Sequence, residues 1–167
     1  MIELRTWVDS DRPLLEILLA DPFMTQYVGG PETAAQLQSR HERYLKINSS
    51  HAHLARSFVV ALKETSVAIG WTGYWESSWK DQLIYEMGWS ILPDHQGKGF
   101  GSFAALQTIK LAAEQNRNQE IYAFPSVLNL PSNSICRKLN FKLVEECDIE
   151  YPPGIWMRAN SWKRSLT

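Results

Sequence analysis

The stretch Ile91-Leu92-Pro93-Asp94-His95-Gln96-Gly97-Lys98-Gly99-Phe100-Gly101-Ser102 decides the reading of this chain. Before it, Leu83, Tyr85, Met87, Trp89 and Ile91 alternate with Ile84, Glu86, Gly88 and Ser90. Side chains on a strand point to opposite faces at period two, so this segment reads as a strand. After it, Phe103, Leu106, Ile109, Ala112 and Ala113 recur at helical spacing with no interrupting proline. The unit is strand, glycine loop, helix. The first N–H groups of a helix lack intrahelical acceptors and carry partial positive charge. Glycines at 97, 99 and 101 let a ligand approach the backbone, and Lys98 adds a cation. Such a loop suits phosphate oxygens.

Two common phosphate loops do not fit. A Walker loop requires Ser or Thr after its lysine, and Lys98 is followed by Gly99. A Rossmann loop requires glycine where Ser102 stands. What remains is Q-x-x-G-x-G at Gln96, Gly99 and Gly101. This resembles the pyrophosphate loop of the GNAT family of N-acetyltransferases, which bind acetyl-CoA. An ordinary glycine turn ahead of a helix is the bland alternative.

Working outward, Ile2 to Val8 alternates as a first strand. Ser10, Asp11 and Pro13 open a short helix carrying Leu14, Leu15, Ile17, Leu18 and Leu19, interrupted at Asp21-Pro22. Gly29-Gly30-Pro31-Glu32 is expected to start the next helix, with Pro31 in its first turn and Leu37, His41, Tyr44 and Asn48 on one side. His41 is expected on a helix flank. Phe58 to Leu62 and Val67 to Tyr74 read as paired strands joined at 63–66, with Gly70 and Gly73 marking bulges or close backbone approach. Trp75 to Asp81 is a loop or strand extension. After the glycine helix come a strand at Ile121 to Phe124, a helix within Asn129 to Asn140, and strands at Phe141 to Ile149 and Ile155 to Trp162.

That order matches a GNAT domain over nearly the whole chain. The fold expected is α/β (α+β), a single domain over 1–167, with a mixed, mostly antiparallel sheet of about seven strands splayed in the middle. Asn129-Leu130-Pro131-Ser132 followed by Lys138-Leu139-Asn140-Phe141 is similar to the N-x-x-S and K-L-G-F pattern of the RimJ/RimL-like branch, which acetylates ribosomal protein N-termini. Glu86-Met87-Gly88-Trp89 is similar to that branch as well. Asn140 replaces the usual glycine; asparagine tolerates the left-handed backbone of a helix end.

The resemblance implies acetyl transfer from acetyl-CoA, as co-substrate, to a primary amine of a small molecule or a peptide N-terminus. It places the thioester where two strands part, with Gly88 compatible with a bulge there. Backbone groups of Ser90, Ile91 and Leu92 would hold the pantetheine, and one N–H would stabilise the oxyanion. The amides of Gln96, Gly97, Lys98, Gly99, Phe100, Gly101 and Ser102 would hold the pyrophosphate. Asn129 and Ser132 are expected to contact CoA or cap their helix. A protonated amine must lose its proton before attack. Glu86 is the candidate base; a carboxylate that only fixes substrate or pairs with a cation is the alternative. Many relatives place a tyrosine acid at the position of Cys136, so Cys136 is read as packing, and either Ser132 or Ser134 serves as the acid or no acid is needed. A non-catalytic acyl-CoA sensor of the same fold, and an unrelated nucleotide-binding domain, are the rivals.

Composition sets outer bounds. At 167 residues, 44% hydrophobic and 21% charged, the chain reads as an ordinary globular protein. A net charge of −1 implies no broad field for nucleic acid or membrane. Cys136 and Cys147 match no metal motif, and no apolar run resembles a signal peptide or membrane span, which points to a reducing cytoplasm. His51 and His53 lack a third ligand nearby, so no metal is expected and solvated loop positions are preferred. His95 is read as touching phosphate or facing water. Trp71, Tyr74, Trp75 and Trp79 either line an acceptor cleft, pack in the core or form a homodimer seam.

Overall fold

The computed structural model describes residues 1–50 and 53–167. His51 therefore lies outside the described residues, and the paired-histidine reading with it. Seven strands form one sheet in the order β1-β2-β3-β4-β5-β7-β6. They are β1 (Ile2–Thr6), β2 (Ala55–Leu62), β3 (Ala68–Trp79), β4 (Gln82–Ile91), β5 (Glu120–Ala123), β6 (Lys142–Glu150) and β7 (Trp156–Ser165). The helices are α1 (Arg12–Leu19), α2 (Pro22–Thr25), α3 (Ala34–Ser50), α4 (Phe100–Ala113) and α5 (Leu130–Lys138). All neighbouring strands run antiparallel except β4 and β5. The segment after Trp75 is strand, so β3 and β4 make one long hairpin reaching Trp79↔Gln82.

Each face of the sheet carries its own core. Tyr74, Tyr85, Met87, Ile121 and Trp162 are buried with Ala105 and Ile109 of α4 and Cys136 and Leu139 of α5. On the opposite face, Val59 and Ala61 pack with Leu14, Leu15 and Leu18 of α1 and Leu37 and Tyr44 of α3. The buried side of α4 is Ala104, Ala105, Thr108, Ile109 and Ala112, whereas Phe103 is exposed. The apolar spacing alone put Phe103 inside. Small residues win that face because they let the helix lie close to the sheet, where Thr108 Oγ1 meets Thr72 Oγ1 at 2.9 Å.

Helix α3 starts later than Pro31 suggests. Thr33 Oγ1 accepts from the Gln36 amide at 3.3 Å, and Gln36 Oε1 accepts from the Thr33 amide at 2.7 Å, a reciprocal capping box. His41 is buried rather than on a flank. Its Nδ1 accepts from Trp7 Nε1 at 3.0 Å, which leaves Nε2 to donate to Asp9 Oδ1 at 3.1 Å. Gly70 and Gly73 are sites of close approach. A Cβ would lie 2.3 Å from the Ser90 carbonyl oxygen at the first and 2.6 Å from that of Arg56 at the second. Gly70 also pairs with Val60 at a register shift in β2.

Candidate active site

The decisive geometry lies between β4 and β5. They pair at only two positions, Tyr85↔Ile121 and Glu86↔Tyr122. Beyond that, β4 continues beside β3 to Ile91 while β5 stays with β7. The sheet forks at Glu86, as the splay required. Gly88 makes no bulge: it pairs in unbroken register with Gly73. Its small size has another cause. A Cβ there would meet Trp71 Cζ3 at 3.2 Å and Trp75 Cη2 at 3.5 Å, so two indole rings lie across this residue.

Ladder parity decides which groups face the fork. Antiparallel neighbours alternate between hydrogen-bonded and non-hydrogen-bonded pairs. The Leu92 amide donates to Ile69 at 2.8 Å, and the register continues Gly70↔Ile91, Trp71↔Ser90, Thr72↔Trp89. Ser90 and Leu92 therefore point their peptide groups at β3. Ile91 points into the gap, and so does Trp89, which the sequence did not single out. Of the three residues expected to line the gap with backbone, Ser90 and Leu92 do not. The Ile91 carbonyl is also occupied, accepting from Gln96 Nε2 at 2.7 Å. The Ile91 N–H and both peptide groups of Trp89 remain.

The loop presents a cluster of donors. Gly97 and Gly99 have φ of +72° and +81°, with no atom within 4 Å of an added Cβ. Their strain-free positive φ, not crowding, requires glycine. The first α4 bond runs from the Phe103 amide to Gly99 at 3.0 Å, so the amides of Phe100, Gly101 and Ser102 precede the helical ladder. Those of Gly97, Lys98 and Gly99 have no acceptor among the described residues. Gln96 is different: its amide already donates to Pro93 at 3.1 Å, and its side chain braces β4. It shapes the loop instead of offering a donor. Lys98 Nζ donates to the Asp94 carbonyl at 2.8 Å, across the same turn. His95 is half-buried in the short helical turn Pro93–His95.

Glu86 sits half-buried where the strands part. Burial pushes its carboxyl up to about 7, against the opposing hydrogen bonds from Trp75 and Ser77. Trp75 stacks on Trp71 with centroids 6.4 Å apart, and Trp71 stacks on Tyr44 at 5.6 Å. Across the fork, Tyr122 stacks on Phe124 at 5.8 Å, and Trp79 meets Phe124 at 4.8 Å. The aromatic group of β3 thus divides: Trp71, Trp75 and Trp79 lie on the face of Glu86, while Tyr74 is core on the other face, edge-on to Tyr85 at 5.0 Å.

Asn129, not Ser132, caps α5: its side chain accepts from the Ser132 amide at 3.2 Å. The Ser132 hydroxyl is half-buried and has no hydrogen-bond partner among the described residues. Cys136 is fully buried, and burial pushes its thiol up to about 12, so it is packing. Ser134 is exposed. Asn133, overlooked beside the N-x-x-S pattern, is the joint of this region. Its Nδ2 donates to the carbonyls of Ser126 at 2.9 Å and Asn129 at 2.8 Å, and its Oδ1 accepts from Asn160 Nδ2 and Trp162 Nε1, each at 2.8 Å. A hint was available: an asparagine in the first turns of an otherwise amphipathic helix is a candidate for a buried, fully bonded amide. Among the described residues there is no cluster of three metal-ligating side chains and no helix long and apolar enough to cross a membrane.

Known proteins share this architecture. The spermidine N-acetyltransferase of Vibrio cholerae, solved with CoA and spermine, superposes with a TM-score of 0.79 at 20% identity, covering 99% of this chain and 95% of that one. RimL, the ribosomal L7/L12 alpha-N-protein acetyltransferase, gives 0.79 at 17% identity over 98% and 90%. At such identities the likeness is one of fold. An uncharacterized N-acetyltransferase of Bacillus subtilis (strain 168), YnaD, is 25% identical over 96 residues, which span 58% of this chain and 55% of that protein. The forked sheet, the donor loop before α4 and the match of residues 2–142 to the acetyltransferase (GNAT) domain model place the chain in the GNAT acetyltransferase family.

Proposed function

We propose that this chain transfers the acetyl group of acetyl-CoA to a primary amine of a small molecule or a peptide N-terminus, by direct attack in a ternary complex. The observation that carries the reading is the fork at Glu86↔Tyr122, which leaves a carboxyl at the apex of a gap lined by unpaired backbone groups. The residues present fit the donor. The free amides of 97–102 suit a diphosphate, and the open space at Gly97 and Gly99 admits it. Lys98 adds positive charge beside that cluster. The gap-facing peptides of Trp89 and Ile91 suit an extended amide-bearing arm, which would pair with β4 as a strand does. Asn129 commits its Oδ1 to the cap, so only its Nδ2 is left for ligand.

Acetyl-CoA supplies an activated acyl carbon and a thiol leaving group. The acceptor N–C bond forms as the C–S bond breaks, and the nitrogen gives up two protons: the second, released as the amide forms, balances the one taken up by the departing sulfur, and the first leaves the ammonium before attack. Glu86 takes that proton, directly or through water, because a carboxyl held near 7 can accept and release it at neutral pH. The N–H of Ile91 or Trp89 polarises the carbonyl. The Ser132 hydroxyl, near the start of α5, is the candidate donor to the departing sulfur. The motifs at Glu86–Trp89 and Asn129–Phe141 favour the RimJ/RimL-like branch. Family membership removes the unrelated nucleotide-binding reading.

Thiol release from acetyl-CoA over a panel of primary amines and short peptides tests the proposal. Amine-dependent release is expected. Tight CoA binding with no release for any acceptor would replace the enzyme with an acyl-CoA sensor.

A further inference from the structure

Glu86 is gripped from one neighbouring strand. Trp75 pairs with it directly across the β3–β4 ladder, and Ser77, two residues on, lies diagonally opposite on the same face. Glu76, between them, points to the other face and binds Arg117. The half-buried side chains of Trp75 and Ser77 both hydrogen-bond the Glu86 carboxyl. The donors are an indole N–H and a hydroxyl, and neither carries charge.

The indole is itself fixed. Its ring lies across Gly88, with Cη2 3.5 Å from the place of a Cβ there. It stacks on Trp71, which lies within 6° of parallel to Tyr44, and Trp7 meets Tyr44 edge-on at 5.2 Å. Trp71 Nε1 also donates to Ser57 Oγ. The rings of Trp7, Tyr44, Trp71 and Trp75 thus run from the core beneath α1 and α3 to the carboxyl, and packing sets the indole N–H before any proton moves. Charged groups of the surrounding elements are engaged elsewhere. On β5 and β7, Glu120 accepts from Tyr122 Oη at 3.3 Å and from Lys163 Nζ at 2.9 Å. Lys80 binds Glu145, Arg40 binds Glu32, and Arg43 stands 5.9 Å over the Tyr44 ring. A cation against Glu86 would stabilise the carboxylate until it became a feeble base, and no donor at all would leave a desolvated acid that resists ionising. Two neutral donors lie between these extremes.

We propose that Ser77 and Trp75 are positioning residues for the acetyl transfer: from β3 they hold the Glu86 carboxylate at the fork in the orientation that receives the acceptor's proton. This rests on the acetyl-transfer reading above. Both hydrogen bonds favour the ionised form of Glu86, so the loss of either donor makes the carboxyl harder to ionise. The effect is confined to the pH range in which Glu86 titrates, which sets it apart from a general loosening of the site.

The test titrates the CoA-bound protein, labelled with carboxyl-13C glutamate, by NMR, and follows kcat for thiol release from acetyl-CoA with hexylamine and with a short peptide bearing a free N-terminus. The signal lost in Glu86→Gln identifies the carboxyl, which titrates at about 7 in the parent. In Ser77→Ala, and in Trp75→Phe, which keeps a stacked ring, the midpoint is expected about one pH unit higher, with kcat down about tenfold at pH 6 and less than about twofold at pH 9. Ser77→Thr, which restores a hydroxyl, should return both to the parent values, and Ser78→Ala, exposed on the opposite face, should move neither. Unmoved midpoints in Ser77→Ala and Trp75→Phe overturn the proposal, as does a loss of kcat that is equal at pH 6 and pH 9. No thiol release with either acceptor, while the midpoints move as expected, counts against acetyl transfer and upholds the grip on Glu86.

Discussion

A carboxyl covered by aromatic rings stays protonated until the pH nears 7, and Glu86 is such a group. As a base it must be ionised. Turnover should therefore rise with pH through about 7 and level off above it, with Glu86→Gln removing that limb. The substitution is expected to lower kcat by roughly 10²–10⁴-fold and to leave CoA affinity unchanged, as read by steady-state kinetics and titration. Stability carries the opposite sign. The folded-state pKa of Glu86 is raised, so its contribution is full below the unfolded pKa near 4.5 and is lost as pH rises through about 7. Urea unfolding of Glu86→Gln against the parent should accordingly show a relative gain at pH 8 over pH 5, at most on the order of 3 kcal/mol. An equal difference at both pH values would mean the carboxyl is not held neutral.

At the scale of elements, the loop and the two helices it touches matter most. Gly99 is the residue before α4 and has φ +81°. Alanine there has space but not the backbone, at a cost of about 1–2 kcal/mol for the left-handed conformation. Gly99→Ala should raise the KM for acetyl-CoA with a smaller effect on kcat, since the donor cluster rotates while Glu86 stays. Gly101 plays a different part. A Cβ there would lie 3.1 Å from Ile135 Cδ1, so this glycine sets how closely α4 and α5 pack. The β3–β4 hairpin is an element with reach: Trp79 contacts Phe124 of the segment after β5, and Lys80 pairs with Glu145 of β6.

On the scale of the molecule, Asn133 holds together the parts on one side of the fork, and Arg40 ties the two sides to each other. Asn133 joins α5, the turn after β5 and β7 through four hydrogen bonds, all buried or partly buried. Asn133→Ala leaves the Asn160 and Trp162 donors without partners, each costing roughly 1–3 kcal/mol when buried, while the Ser126 and Asn129 carbonyls keep their bonds from the Asn129 and Asn133 amides. A loss of about 3 kcal/mol or more is expected by denaturant unfolding, against little for the exposed Ser134→Ala. Arg40 joins α3 to the β6–β7 tip, and Tyr44 carries that anchor to Trp71 by stacking. The wall beside Glu86 is thus braced from the far end of the sheet.

How much was legible follows from the range of each interaction. Alternation along Leu83 to Ile91 placed Glu86, Gly88 and Ser90 on one face, and the glycine run placed an anion-binding turn before α4, because both depend only on backbone geometry within a few residues. The order of elements along the chain and the site motif came from the same local signals. Pairing partners were not legible. Which β4 peptides face the gap depends on the register with β3; the size of Gly88 depends on indoles from another strand; the capping box at Thr33 was written as T-x-x-Q but yielded to the nearer Pro31. Burial of His41 and Asn133, and the raised carboxyl of Glu86, arise from side chains distant in sequence that exclude water together. Local chemistry along the chain determined the loop, the alternating strand and the family. Desolvation and hydrogen-bond parity, which exist only once distant segments meet, decided which of those residues can hold a donor or move a proton.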